Sequence, residues 1–175
     1  NADYSSICQL GVAEFEQGQV TKTWSTLINP EDYFDPFNTR IHGIDHNKVK
    51  HAPTFRDLEH EIYNRISNKV VVHHMPFDRI ALNRVSLKYS LTLPEIKWLD
   101  SAKITRRTWT EFASSGYGLK NISQYLNIEF NHHDALEDAI AAGKVTCLAL
   151  DKTNTSIDEW LIKVNQAIGQ ESLKQ

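Results

Sequence analysis

Two stretches of alternating apolar and polar residues open the chain. The first runs from Ser6 to Phe15, the second runs from Val20 to Ile28, and Gln17-Gly18 lies between them. Alternation is typical of strands with one buried face, and a glycine-containing turn allows two such strands to pair. The pattern therefore predicts a β-hairpin. Residues 33–44 show no such period and are interrupted by proline and glycine, which predicts a long ordered loop.

The middle of the chain alternates between helical and strand patterns. Apolar residues at helical spacing predict one helix after the N-cap Thr54 and another after Pro76. A β-branched run over residues 69–73 predicts a buried strand between them, and a further strand is predicted over residues 96–99, ending at Asp100. A strand followed by a turn and a helix is the βα unit of a layered α/β fold.

Helical patterns dominate the last third of the chain. The predicted helices cover residues 103–109, 119–126, 134–150 and 156–168. Ser156 and Glu159 have the spacing of a capping box at the start of the last one. We expect one domain over residues 1–150, and a C-terminal helix and tail over residues 151–175 that packs on the domain or binds a partner.

Composition narrows the class of protein. The 175 residues include 19 Lys+Arg and 22 Asp+Glu, a formal net charge of −3. This balance disfavours binding of nucleic acid by a broad basic surface, but it is compatible with a site that acts on phosphates through bound cations. No apolar run approaches the roughly 18 residues of a membrane span. Cys8 and Cys147 are expected to be reduced, and the protein is expected to be cytoplasmic.

Two segments place imidazole and carboxyl groups at the ends of predicted elements. His73 to Asp78 spans a strand-to-helix junction, and His132 to Asp138 stands at the start of the longest predicted helix. Ligands of open α/β sheets bind beyond the carboxyl ends of the strands, where Asp78 is expected. His133 and Asp138 are about 1.4 helical turns apart, so both can border one cavity. A neutral imidazole can take a proton from water, and carboxylates are ligands of Mg²⁺ and Mn²⁺.

Structural roles for the same residues are open alternatives. An aspartate near a helix N-terminus, such as Asp78, commonly caps the helix or interacts with its dipole. Adjacent histidines suggest zinc, but neighbouring side chains on a strand point to opposite faces, and no Cys or His pair has the spacing of zinc ligands. His73 is expected to form a hydrogen bond at its strand end.

Longer motifs carry a family resemblance. Residues 70–78, Val-Val-Val-His-His-Met-Pro-Phe-Asp, resemble the second motif of the DEDDh class of 3′→5′ exonucleases, and His133-x-Ala135-x-x-Asp138 resembles the third. Residues 27–30, 41–44 and 52–55 are similar to the linker between the first two motifs. The class includes the proofreading epsilon subunit of bacterial DNA polymerase III and ribonuclease T.

The resemblance implies a fold, an activity and a site. The fold is the ribonuclease-H-like α/β fold, with a mixed central β-sheet flanked by α-helices. The activity is release of nucleoside 5′-monophosphates from single-stranded DNA or RNA 3′ ends, with two Mg²⁺ or Mn²⁺ ions about 4 Å apart at the scissile phosphate. Asp138 and Asp78 would bind the metal ions, and His133 would be the general base. His42-Gly43-Ile44 and Phe77 are expected beside the terminal nucleotide, although the first segment can equally serve only to pack the loop.

The first motif of the family has no match in the chain. An Asp-x-Glu pair is expected on a strand several residues before Ile7, where only Asn1 to Ser6 stand, and the only methionine is Met75. We therefore expect the natural chain to start upstream and to supply this pair. The alternative is a catalytically inactive module that binds nucleic acid or a DNA polymerase subunit. A third hypothesis is a hydrolase of small phosphodiesters that uses His133 with Asp138.

Overall fold

The computed structural model describes residues 3–114 and 116–166 of the chain. Four strands lie in these residues: β1 (Gln9–Glu16), β2 (Gln19–Leu27), β3 (Val70–His73) and β4 (Lys97–Asp100). The helices are α1 (Pro36–His42), α2 (His46–Val49), α3 (Phe55–Ile66), α4 (Phe77–Lys88), α5 (Ser101–Thr108), α6 (Leu119–Tyr125), α7 (Ala135–Thr153) and α8 (Ile157–Lys163). A short 3₁₀ helix, Thr110–Ser114, follows α5.

The predicted hairpin is confirmed. β1 and β2 pair in antiparallel orientation, with Gln9 opposite Leu27. The two residues of the turn have left-handed φ angles, 50° at Gln17 and 79° at Gly18. Tight turns with positive φ have the twist that matches two flanking strands, so this turn is suited to close the hairpin.

A parallel strand pair separates two hydrophobic clusters. β3 and β4 pair in register as far as His73 and Asp100. Because side chains alternate across a strand, Val70 and Val72 pack against one cluster and Val71 packs against the other. The first cluster contains residues of α5, α6, α7 and α8, and the second contains residues of α3 and α4. Helices therefore cover both faces of these strands, as the βα pattern predicts.

Strands of both orientations are present, but they form two sheets in the described part of the chain. β1 and β2 pair in antiparallel orientation, and β3 and β4 pair in parallel orientation. Outside these strands, an isolated parallel bridge joins Asn29 and Thr54. The long helix α7 contacts β1, β2 and β3. One helix thus packs against both sheets and fixes their relative position.

Residues 33–44, predicted to be a loop, contain helix α1, so this part of the prediction is wrong. The helix depends on its caps. The Asp35 carboxylate accepts a hydrogen bond from Phe37 N–H at 2.7 Å, Pro36 is the first helical residue, and Gly43 ends the helix with a left-handed φ of 71°. No side chain of α1 is fully buried, so the hydrophobic pattern contains no helical period here.

The other predicted elements are confirmed, with small differences at their ends. α3 begins with the predicted cap, in which the Asp57 carboxylate accepts the Thr54 N–H at 2.8 Å. α7 begins after Asp134, whose carboxylate accepts two backbone N–H groups. α8 begins with the predicted capping box of Ser156 and Glu159.

The C-terminal helix packs on the rest of the chain. α7 continues past residue 150, the expected domain boundary. Trp160 and Val164 are buried in the first hydrophobic cluster. Residues 151–166 therefore share a core with the residues before them. α8 ends at Lys163, so the prediction of a helix that continues through residues 164–166 is wrong, and the predicted end, Ile168, lies outside the described residues.

Two expectations from composition can be compared with the structure. No helix among the described residues is both long and apolar enough to cross a bilayer. The thiols of Cys8 and Cys147 are free, as predicted. Burial raises the pKa of both thiols, which keeps them protonated at neutral pH.

Two glycines allow α7 to lie directly on β1. A Cβ on Gly11 would stand 2.4 Å from backbone atoms of Ala135 and Leu136. A Cβ on Gly143 would stand 2.2 Å from the Phe15 ring. Both distances are far below van der Waals contact, so larger residues at these positions would push the helix off the strand.

We expect Gly11→Ala to lower the free energy of unfolding by about 1–3 kcal/mol, as overpacking of a tight contact does. The cost arises because helix backbone, and not a flexible side chain, must move. Chemical denaturation followed by circular dichroism measures it. Gly118→Ala is the control, because no atom lies within 4 Å of a Cβ at Gly118. Equal losses of stability in both variants would contradict the close approach.

Candidate active site

The carboxyl ends of β3 and β4 meet at one edge of their sheet. His73 and Asp100 are the last paired residues of these strands. The Asp100 carboxylate accepts hydrogen bonds from Ala102 N–H at 2.9 Å and from Met75 N–H at 3.2 Å. Asp100 thereby caps α5 and also holds the loop that leads into α4.

α4 places Asp78 at this edge. Asp78 lies in the first turn of the helix, where the helix dipole favours a carboxylate. Its side chain is accessible to solvent, but the protein around the cleft desolvates the carboxyl group and raises its pKa. His73 opposes this increase, and repulsion from Asp138 and Asp100 adds to it. The three carboxylates therefore share one electrostatic environment.

His132, His133 and Asp138 form a cluster at the start of α7. His132 Nδ1 lies 2.9 Å from Asp138 Oδ1, and His133 N–H donates to Asp138 Oδ2 at 3.3 Å. The two imidazole ring centroids are 3.9 Å apart. His133 has a left-handed φ of 76°, a conformation that costs free energy in a non-glycine residue and is frequent at functional sites.

β1 fixes the start of α7 and therefore the position of this cluster. Gln9 Nε2 donates to Asp134 Oδ2 at 3.2 Å, and Ala135 N–H donates to Gln9 Oε1 at 3.3 Å. These bonds join the strand to the first residues of the helix beside the Gly11 contact. The Gln9 amide and the absence of a side chain at Gly11 thus position the same end of α7.

The segment His42-Gly43-Ile44 ends α1 close to the cluster. Ile44 N–H donates to His42 Nδ1 at 3.1 Å, and the left-handed Gly43 forms the turn between them. Burial lowers the pKa of His42, and repulsion from His133 adds to this decrease. The two imidazoles therefore lie within electrostatic range of each other.

The structure brings together Asp78, Asp138 and His133, with His42 at their border. Phe77 is 59% exposed and its ring is open to contact. The Ile44 side chain is only 6% exposed. Ile44 can therefore affect the site through its hydrogen bond to His42, whereas its side chain packs in the interior.

His74 has no role in the sequence-based prediction, although it connects the loop before α4 to the start of α5 and to the loop before α6. Its Nδ1 lies 2.9 Å from Ser101 Oγ, and its Nε2 lies 2.7 Å from the Tyr117 carbonyl oxygen. Burial lowers the pKa of His74, against smaller opposing effects of the Tyr117 carbonyl and Asp100. In the neutral imidazole, Nε2–H donates to the Tyr117 carbonyl oxygen. The Ser101 hydroxyl donates its one hydrogen to the His73 carbonyl oxygen at 3.0 Å. The place of His74 between a strand end and Asp78 was the only signal in the sequence.

The donor atoms fit a divalent metal ion. In the part of the chain that the structure describes, ligand atoms of His132, His133 and Asp138 all lie within 4.8 Å of one another. Asp78 interacts electrostatically with Asp138. Carboxylates bind Mg²⁺ and Mn²⁺, and imidazole binds transition metals. The sequence predicted Asp78 and Asp138 as metal ligands. His132 is an additional candidate ligand from the structure.

Basic residues are concentrated around His42 in the sequence, in α1, in α2 and in the two residues after α2, and this segment is called the cationic strip. It consists of exposed basic side chains, namely Arg40, His46, Lys48, Lys50 and His51. Asp45 is the one acidic residue between positions 40 and 51, and its carboxylate caps α2 by accepting Lys48 N–H at 3.0 Å. The net charge of the whole chain is −3, so it gives no indication of this basic segment. Charges counted over residues 40–51 alone would have indicated it.

Comparison with known sequences points to nucleases. The model of the family RNase_T, described as Exonuclease, matches residues 1–146. The 3′-5′ exonuclease DinG of Staphylococcus aureus (strain USA300) is 25% identical over 152 residues, which cover 86% of this chain and 17% of that protein. The chain thus spans about a sixth of the length of this relative.

Solved structures with the same fold are also exonucleases. Exonuclease X in complex with 5′ overhanging duplex DNA has a TM-score of 0.74 at 19% identity, with 90% of each chain covered. A 3′-exonuclease in a structure of 3′-end specific recognition of histone mRNA stem-loop has a TM-score of 0.59 at 11% identity, covering 85% of this chain and 83% of that one. The predicted ribonuclease-H-like α/β fold is confirmed by these similarities.

We expect His74 to make stability depend on pH. Its pKa is lower in the folded protein than the ordinary value of 6.5, so the unfolded chain binds the proton more readily. The associated stability is complete above this value and is lost as the pH falls through it toward the folded-state pKa. His74→Gln should therefore flatten the dependence of unfolding free energy on pH as the pH falls below 6.5. Denaturant titrations measure it, with the exposed His60→Gln as control; parallel profiles for parent and His74→Gln would contradict the prediction.

Proposed function

Because the chain belongs to the RNase_T exonuclease family, we propose that it is a metal-dependent 3′→5′ exonuclease. Its products would be nucleoside 5′-monophosphates from single-stranded DNA or RNA ends, as for an epsilon-like proofreading enzyme. The observation that carries the proposal is the cluster at the start of α7, where His133 N–H bonds the Asp138 carboxylate beside Asp78. Carboxylates next to an imidazole supply the metal ligands and the base that phosphodiester hydrolysis needs.

Asp138 and Asp78 would hold the Mg²⁺ or Mn²⁺ ions, with His132 beside them. Bound ions of this kind lower the pKa of a water molecule and stabilise negative charge on the phosphate. The raised pKa of Asp78 reflects desolvation by the surrounding protein and repulsion among carboxylates, and a divalent cation is attracted to such an environment.

His133 is the proposed general base. Its imidazole accepts a proton from the attacking water, whose oxygen forms a bond to phosphorus while the bond from phosphorus to the 3′ oxygen of the preceding nucleotide breaks. The leaving 3′ oxygen takes a proton from solvent, and the strand is one nucleotide shorter. His133 is exposed, and the hydrogen bond from its backbone to Asp138 holds it at the mouth of the site.

His42, Gly43 and Phe77 are proposed to contact the terminal nucleotide. Ile44 contributes by holding His42 through its backbone N–H. The cationic strip, which begins beside His42, provides contacts for phosphates further along the strand, and such contacts position nucleic acid without reading its sequence.

The Asp-x-Glu pair of the first motif is proposed to lie on a strand upstream of Ile7. β1 and β3 both contact α7, but they are not paired with each other in the described residues. A strand that paired with both would join the two sheets into one mixed sheet beside the start of α7. A chain that carries this pair on a strand before Ile7 is therefore the protein that we propose to assay.

A second candidate function is a catalytically inactive module that binds nucleic acid ends or a DNA polymerase subunit. The observation in its favour lies on the last described helix. On α8, Trp160 is buried in the domain whereas Ile162 is 63% exposed, so one apolar side chain of this helix remains open to a partner. A cytoplasmic location is proposed in either case.

We expect the natural chain to release mononucleotides from a 3′-labelled single-stranded oligonucleotide in Mn²⁺ or Mg²⁺ and to release none in EDTA. His133→Ala should lower kcat by about 10²–10⁴-fold, the usual contribution of a general base. Asp138→Asn should abolish release, because the carboxylate charge is lost. Asp158→Asn, an exposed acid on α8, is the matched control and should keep the parent activity.

Other outcomes of this assay would favour the alternatives. Parent rates in His133→Ala and Asp138→Asn would exclude the cluster from the reaction. Binding of the oligonucleotide without cleavage, equal with and without metal, would support the inactive module. A preference for dinucleotides over longer strands would indicate a hydrolase of small phosphodiesters.

The cationic strip predicts a salt dependence of oligonucleotide binding. Each phosphate contact to single-stranded nucleic acid contributes about 0.7 to the slope of log affinity against log salt concentration. Arg40→Gln combined with Lys50→Gln should therefore lower the slope by about 1.4 if each removes one contact. Lys97→Gln is the control, since Lys97 lies at the opposite end of β4 from Asp100. An unchanged slope in the double variant would rule out phosphate contacts by Arg40 and Lys50.

A further inference from the structure

Two imidazoles and a carboxylate converge at the turn before α7. Ligand atoms of His132, His133 and Asp138 all lie within 4.8 Å of one another. His132 Nδ1 and Asp138 Oδ1 are 2.9 Å apart. Neighbouring ligands of a zinc ion are separated by about 2.8–3.4 Å when each lies about 2.0–2.1 Å from the metal. Small rotations of the side chains would therefore bring all three groups onto one ion.

The backbone of the turn places both imidazoles on one side of the chain. Neighbouring side chains of a strand point to opposite faces, which is why the sequence disfavours zinc at adjacent histidines. Residues 132 and 133 form a turn and not a strand, and His133 has a left-handed φ of 76°. The two ring centroids are consequently 3.9 Å apart, with the ring planes inclined at 31°. Alternation of side chains therefore does not exclude zinc at this pair.

The His132 ring is held in this position by packing. The ring of Phe130 lies edge-on against it, with the ring centroids 5.4 Å apart, and Phe130 itself packs against the first hydrophobic cluster. A ligand whose position is fixed by its neighbours loses little conformational freedom when a metal ion binds. The side chains of His132 and Asp138 are 35% and 31% exposed, so ions from solvent reach both of them.

We propose that His132, His133 and Asp138 form an inhibitory zinc site. Imidazole nitrogen is a ligand of zinc and of transition metals, whereas Mg²⁺ takes oxygen ligands. Zinc commonly binds three protein ligands and a water molecule, so two imidazoles and one carboxylate suffice. Divalent ions of the first row generally bind more tightly toward zinc than at Mn²⁺. Zinc is therefore expected to displace Mg²⁺ or Mn²⁺ from Asp138.

The inhibitory effect rests on the proposed function, in which His133 is the general base. A neutral imidazole has a single nitrogen lone pair that can accept a proton. Zinc bound to His133 uses this lone pair, so the imidazole can no longer take a proton from the attacking water. The same zinc ion binds the Asp138 carboxylate, which is then withdrawn from the ions at the phosphate. One bound ion would thus disable the base and a metal ligand together.

Zinc binding can be measured without cleavage, by calorimetric titration in excess Mg²⁺ of a chain that carries the Asp-x-Glu pair. His132→Asn should weaken zinc binding by at least about 10- to 100-fold, because groups that merely orient a metal ligand already contribute that much. The asparagine amide can still donate a hydrogen bond to Asp138, so a purely structural role of His132 would leave the zinc affinity unchanged. His60→Asn, at an exposed position on α3, is the matched control and should bind zinc as the parent does.

X-ray absorption spectroscopy of the bound zinc counts the imidazoles directly. We expect two imidazole ligands in the parent and one in His132→Asn. Zinc surrounded by oxygen ligands alone would overturn the site, and so would equal zinc affinities of the parent and His132→Asn. The spectrum of the parent is a test that does not depend on the folding of any variant.

Kinetics test the inhibition separately. The zinc concentration that halves mononucleotide release should rise in His132→Asn by the factor found for zinc binding, with each protein compared with its own rate without zinc. Equal inhibition of the parent and His132→Asn would overturn the inhibitory role. Zinc binding that requires His132, in a chain that cleaves nothing, would leave the metal site standing while the exonuclease proposal failed. Cleavage that zinc does not inhibit would do the reverse.

Discussion

The contact between β1 and the N-terminus of α7 is the constraint on which the site depends. The backbone of Ala135 lies directly on Gly11, where any side chain would intervene. Gln9 then hydrogen-bonds both Asp134 and Ala135. Because a helix is rigid over one turn, the place of Asp138 relative to the sheet follows from this contact.

Electrostatics gives the same arrangement its chemical character. Asp78, Asp100 and Asp138 approach one another from three different elements, and burial together with their repulsion keeps the pKa of Asp78 raised. Asp100 is held by backbone N–H groups, so its charge is already compensated. Asp78 and Asp138 face the cleft, and a divalent cation would offset the free-energy cost of holding them together. Carboxylates held close together at a free-energy cost are commonly part of a functional site.

Much of the fold was predictable because its signals are local. The alternating pattern of the hairpin, the Thr54 and Ser156 caps and the run over residues 69–73 each depend on residues close in sequence, and each is confirmed. α1 was missed because it buries no side chain and depends on Asp35, Pro36 and Gly43 alone. The division of the strands into two sheets within residues 3–114 and 116–166 was not predictable, because pairing between distant strands leaves no periodic trace in either strand.

The sequence by itself determined which residue types could do chemistry and where they lie along elements. Asp78, His133 and Asp138 were identifiable from motifs at the starts of two helices. Only the tertiary structure decided which of them meet, that Ile44 faces the interior, that His74 links two loops to the start of α5, and that Tyr4 stands against Phe77. Motifs depend on residues a few positions apart, whereas these contacts join residues tens of positions apart, and only packing of the whole chain fixes such distances.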